Sequence, residues 1–189
     1  MTTLVGIQGD GWVVLAGDSR ITGEYTIYDG RSTPKIVERN DYLIGISGDS
    51  SAGDVLTYLW RTPQITKEPL QQMGTVVVPS IRSAFTKAEV PIGSKKCEYR
   101  YLVAFSNTLF YLDNDLAFYQ DATNIFACGT GGDFAKGYLA GKGNSIFNNP
   151  QSAKRAAITA IEIASRFDFR SEEHTSELQV TSLSRMPSS

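Results

Sequence analysis

Few residues in this chain could do chemistry, and the first of them is Thr2. It follows Met1 and precedes Thr3, and a small second residue is the circumstance in which an initiator methionine is removed. Removal frees the α-amine of Thr2, whose ordinary pKa of about 7.7 to 8.0 leaves part of it neutral near pH 7 and able to take the proton of its own hydroxyl. A nucleophile and its base would then share one residue. By itself, a Met-Thr-Thr start is weak evidence and reads as the beginning of an ordinary strand.

The alternatives to such a nucleophile are thin. The one histidine, His174, lies in a terminal segment unlike the rest. From Arg170 onward, RSEEHTSELQVTSLSRMPSS has no aromatic residue and no sustained period of 2 or 3.6. RSEEHTSELQ is the direct translation of agatcggaagagcacacgtctgaactccag, which resembles a common sequencing adapter, and SRMPSS translates a stretch further along the same adapter. The expectation is therefore one natural domain over 1–169 and an adapter-derived tail over 170–189 that forms no domain. Without the tail no His remains, which excludes Ser/His/Asp and Cys/His triads and His-ligated metals. Cys97 and Cys128 lack CxxC spacing and read as buried thiols. No cofactor is expected for the chemistry.

Composition bounds the class. The chain has 189 residues, 41% apolar and 20% charged, enough for one buried core. A formal net charge of −2 disfavours nucleic acid and a basic membrane anchor as partners. No apolar run reaches the roughly 18 to 20 residues of a membrane span, and the start lacks the regions of a signal peptide, so a cytoplasmic protein is expected.

The elements that must position Thr2 can be read from periodicity. Thr3 to Gln8 alternates, Gly9-Asp10-Gly11 turns, and Trp12 to Ala16 runs apolar, a hairpin whose second strand is buried on both faces. Lys35 to Glu38 and Tyr42 to Ser47 form a second hairpin, followed at Gly48 by a helix ending before Pro63. Ile65 to Val78 is ambiguous, and Ser80 to Ala88 extends a second helix. Tyr99 to Phe105, Leu109 to Leu112 and Leu116 to Tyr119 read as meander strands. Ile125 to Cys128 enters the corner Gly129-Thr130-Gly131-Gly132, with helices over Asp133 to Ala140 and Ala153 to Phe167. Hairpins rather than strand-helix alternation disfavour a Rossmann fold or barrel. A strand buried on both faces favours an α+β fold of four layers, αββα, with two stacked antiparallel sheets between helices.

TTLVGIQGDGWVVLAGDSRITG, the later P-K-I-V, IGISGDSSAGD and ACGTGGDFAKGYL together resemble the proteasome beta subunit and HslV (ClpQ) family of N-terminal-nucleophile hydrolases, over residues 2 to 169. The resemblance implies a threonine endopeptidase on an αββα sandwich. Carried over by position, Thr2 is nucleophile and base. Asp18 and Lys35 form a charged pair beside it that favours the neutral amine, and Arg20 braces the loop. Gly48 offers its N–H to the oxyanion, and Thr22 and Ser50 hold the substrate main chain as an added strand. Ile46 lines the pocket for the residue before the scissile bond. Thr130 stands where the family has serine and adds a methyl group. Asp168 fits a D-x-x-S element whose serine, Ser171, falls in the tail.

The family's strand after the last helix is expected to be missing, because the adapter-derived tail stands in its place, and Leu178, Val180 and Leu183, not at a clean period of 2, should not replace it well. The partners implied are unfolded polypeptide, identical subunits in stacked rings of six or seven, and a ring ATPase. Two other functions fit the same fold, a non-catalytic ring subunit and a small-amide hydrolase. Singly, Asp18 and Lys35 would read as surface charges and Gly48 as a strand-to-helix corner.

Overall fold

A computed structural model describes residues 2–22, 27–29, 34–66, 68–95, 98–168 and 179–184, with the backbone alone at 20–22, 27–29, 179, 180 and 182–184. The first hairpin forms as its pattern requires. Strand β1, Thr3–Gly9, pairs antiparallel with β2, Trp12–Gly17, across the two-residue turn Asp10-Gly11, where Gly11 takes the left-handed φ of 73° that favours glycine. A short ribbon of β3, Arg20–Thr22, and β4, Ile27–Asp29, follows. The second hairpin is β5, Ile36–Arg39, with β6, Tyr42–Gly48.

Helix α1, Ser50–Asp54, is capped by Asp49, whose Oδ1 accepts the Ser51 N–H at 2.8 Å, and runs on as a π-helical turn over Val55–Leu59. Helix α2, Pro69–Gln72, leads through a second π-helical turn, Met73–Val77, into α3, Val78–Lys87. The meander is β7, Tyr99–Phe105, β8, Thr108–Leu112, and β9, Phe118–Tyr119, the last shorter than expected because Leu116 sits at φ 66° in the preceding turn. Strand β10, Ile125–Gly129, precedes α4, Gly132–Gly141, and α5, Pro150–Phe167, whose Asn149 cap accepts the Ser152 N–H at 2.9 Å.

The strands make a sheet in the order β10-β1-β2-β11, where β11 is Gln179–Ser184, and another in the order β5-β6-β7-β8-β9. Three apolar clusters lie between successive layers, and they establish the four-layer αββα sandwich. Tyr42, Ile44, Tyr99, Tyr101 and Phe105 pack on Trp60, Met73, Ile81 and Phe85 of the first helical layer. Leu4, Val13 and Leu15 meet Leu43, Leu102 and Leu109 between the sheets. Val5, Ile7, Val14 and Ala16 pack on Ala135, Leu139, Ala157 and Ile161 of α4 and α5. Alternate residues of β2 thus serve two different cores, which is why its sequence shows no alternation.

The expected absence of a terminal strand is corrected. Residues Gln179–Ser184 form β11, antiparallel to β2 from Gln179 opposite Gly17 to Ser184 opposite Trp12. Val180 stands opposite Ala16 and Leu183 opposite Val13, and those two β2 residues face different cores. A period of 2 is not required of a strand in a sheet covered on both faces.

Candidate active site

The start of β1, the ends of β2 and β10, the start of β5 and the end of β6 lie at one end of the sandwich, because each hairpin pairs a start with an end. The last ladder pair of the first hairpin is Leu4 opposite Gly17, so the next residues outward, Thr3 and Asp18, face each other. They are tied in both directions. The Asp18 N–H donates to the Thr3 carbonyl at 3.1 Å, and the Thr3 N–H donates to Asp18 Oδ1 at 2.5 Å.

The other carboxylate oxygen, Oδ2, accepts from Lys35 Nζ at 2.7 Å. Lys35 lies one residue before β5, and its carbonyl accepts the Ile46 N–H at 2.7 Å, extending the β5–β6 ladder outward. Only 9% of the Lys35 side chain is exposed and 15% of Asp18, so the pair acts at reduced dielectric, where charge is felt strongly. The expectation of a charged Asp18–Lys35 pair therefore matches the geometry, and its carboxylate holds the amide next to Thr2.

Glycines bring the backbones together. Gly129, at φ 87°, ends β10 against Thr2, and a Cβ there would collide with the Thr2 carbonyl and come within 3.2 Å of Ser47 Oγ on the other sheet. Gly48, at φ 103°, closes β6, and a Cβ there would strike the Glu98 carbonyl. Its neighbour Asp49 donates its N–H to that same carbonyl at 2.9 Å, and Gly48 is exposed. Gly131 lies against the Thr3 hydroxyl, with Ala164 of α5 at 3.0 Å from its Cβ position.

Asp168 is buried at the end of α5, its N–H donating to the Ala164 carbonyl at 2.9 Å, one turn from that contact. Thr130 is exposed in the turn between Gly129 and Gly131. Ser50 is the exposed first residue of α1, and half-buried Ile46 packs its Cγ2 where a Cβ on Gly53 would lie. Thr22 ends β3 opposite Ile27, and Arg20 begins it, both as backbone. Met1, Ser171 and Cys97 lie outside the described residues.

Three residues near Thr2 escaped the sequence reading: Thr3, Gly129 and Gly131. The signal for the glycines was the corner itself, a Gly-x-Gly-Gly run at the end of a strand, read only as a turn. The buried Cys128 reads as expected, as a structural thiol. Burial pushes its pKa up to about 12 against a lowering by Arg100, so it is held protonated and unreactive.

Two antiparallel sheets between helical layers make an αββα sandwich, the fold of the proteasome-like structures that resemble this chain. The family model described as Proteasome subunit matches residues 1–176, and the chain belongs to that family. No curated protein sequence matches it. Solved structures of the same fold include HslV from Trypanosoma brucei, at TM-score 0.64 and 22% identity, covering 97% of this chain and 99% of that one. Thiobacillus denitrificans BPH in complex with epoxomicin gives TM-score 0.72 at 17% identity, over 98% and 100% of the two chains. Anbu from Yersinia bercovieri gives 0.73 at 13%, over 96% of this chain and 81% of that one. Among the described residues no helix is long and apolar enough to cross a membrane.

Proposed function

We propose that this chain is a threonine endopeptidase whose nucleophile and base are the hydroxyl and free α-amine of Thr2. The observation that carries the reading is the Asp18 carboxylate, which bridges buried Lys35 to the amide of the residue after Thr2. The Lys35 ammonium disfavours protonation of the α-amine, so the amine can accept the hydroxyl proton as Oγ1 attacks the peptide carbonyl. The N–H of Gly48 meets the developing oxyanion, a donor of the kind that contributes about 3 kcal/mol. The amine returns the proton to the leaving nitrogen, and water then hydrolyses the ester on Thr2. Thr22 and Ser50 hold the substrate main chain, Ile46 favours an apolar residue before the scissile bond, and Thr130 and Asp168 support the amine.

The family likeness leads us to take the working form as stacked rings of identical subunits, fed with unfolded polypeptide by a ring ATPase, in the cytoplasm. Epoxomicin, bound by the Thiobacillus denitrificans relative, supplies the test. Purified chain should lack Met1 by intact mass, cleave a fluorogenic peptide and gain the mass of one epoxomicin at Thr2, and Thr2→Ala should lose both activities. Active protein retaining Met1 throughout overturns the single-residue nucleophile and base. Folded, correctly processed protein without turnover or adduct assigns the chain to a non-catalytic ring subunit. Turnover of simple amides but not peptides assigns it to a small-amide hydrolase.

A further inference from the structure

Two unlike sequences meet at the edge of the first sheet. The edge itself belongs to β2, WVVLAG, buried along its whole length. The strand laid on it is QVTSLS. Thr181 stands opposite Leu15 and Ser182 opposite Val14, and both β2 residues are completely buried, one in the core between the sheets and one in the core under α4 and α5. Hydroxyl residues therefore occupy register positions beside apolar neighbours on both faces of the sheet. What aligns β11 is the six-residue main-chain ladder, which any extended segment can supply. Its remaining contacts are minor ones with α5, β5 and β6.

We propose that the edge of β2 covered by β11 is an acceptor site for extended polypeptide, filled in this chain by its own terminal strand. The occupant it fits best is an unfolded segment with apolar residues at consecutive central positions, since one of these would face each core. Such a segment displaces β11. The site is separate from the peptidase reading, and it holds whether or not Thr2 is catalytic.

The test uses the full chain and a fluorescent peptide spanning 178–185 that carries T181V and S182V. Anisotropy should show this peptide binding at least about tenfold more tightly than the unaltered one. A peptide with T181P and S182P should not bind, because one of two consecutive residues must turn its N–H to β2 and proline has none. Hydrogen exchange should place the new protection on Trp12–Gly17. Equal affinity of all three peptides, or protection elsewhere, overturns the proposal.

The chain carrying T181P and S182P vacates its own edge and should bind the valine peptide more tightly than the wild type. Absence of binding to both chains overturns the proposal. The chain carrying T181V and S182V needs no vacated edge. It should slow exchange of the β2 amides and weaken peptide binding at least about tenfold, and unchanged exchange overturns the proposal.

Discussion

Asp18 is placed to hold the fold and, in the proposed peptidase, to serve the chemistry by a separate route. Its two oxygens hold a backbone amide and a buried ammonium. Asp18→Ala should destabilise the fold by about 3 kcal/mol, because a buried charge left without its counter-ion is costly. Lys35→Met keeps the volume of the stem but takes the ammonium away from the buried Asp18 carboxylate, and should cost a comparable amount. Denaturant titration measures both. Peptide cleavage should fall at least about 100-fold in both, with effects far from additive, as for groups acting as a unit. Near-normal turnover in folded Lys35→Met would return the pair to a structural role.

Gly129→Ala places a methyl group against the Thr2 carbonyl at a φ that L side chains avoid. It should cost about 1 to 3 kcal/mol and abolish epoxomicin labelling of Thr2. At this scale the sequence made Asp18 and Lys35 legible only through the family pattern, because nothing in their own spacing says that they meet. Gly129 was not legible as a site residue, since the same Gly-x-Gly-Gly signal serves any strand-to-helix corner.

Elements were legible where their period was intact. Strand β1 kept its period of 2 and β2 was marked by its unbroken apolar run, and β1, β2, β5 and β6 fall within a residue or two of the reading. The stretch from Ile65 to Val78 did not, because the chain there passes through a π-helical turn that shifts the apolar stripe off the 3.6 period and carries the β-branched run Thr75-Val76-Val77-Val78. The start of α5 was less legible, because Asn149 and Pro150, a cap and a first-turn proline, precede the apolar stripe that marks the helix.

The loop before β10 is tied to α4 by Asp121, which accepts Lys136 Nζ at 2.7 Å and both the amide and hydroxyl of Thr123. Burial alone would raise the Asp121 pKa, but those donors outweigh it and bring it down to about 2. The folded value lies below the ordinary value near 3.9, so the stabilisation is complete above about pH 4 and is lost as pH falls through 2. With 46% of the Lys136 side chain exposed, the gain is at most about 1 kcal/mol. Asp121→Asn should remove that acid-dependent part and leave the remainder of the stability curve between pH 5 and 2 unchanged in shape.

The molecule as a whole is held by three cores rather than one, and the middle one couples the two sheets that meet at Thr2. Leu15 is fully buried there, so Leu15→Ala should cost about 2 to 5 kcal/mol, read as a lowered denaturation midpoint by a single transition seen from both sheets. Gln8 adds a polar stitch between the sheets, its Oε1 accepting the Leu109 N–H at 2.7 Å. The four layers were legible because one apolar strand without alternation implies cover on both sides. The terminal strand was not, because QVTSLS has no apolar period and its pairing with β2 is a main-chain ladder that any extended segment can make.

The first hairpin also behaves as a ruler. Its zero mark is the exposed turn Asp10-Gly11, and counting outward from Gly9 opposite Trp12 brings Gly17 opposite Leu4 and then Asp18 to Thr3. One residue inserted at that turn, roughly 20 Å from the carboxylate at about 3.3 Å per residue, would miscount the whole scale and turn Asp18 to the wrong face. A surface turn thus carries as strict a length requirement as the far end of the sandwich, which it never touches.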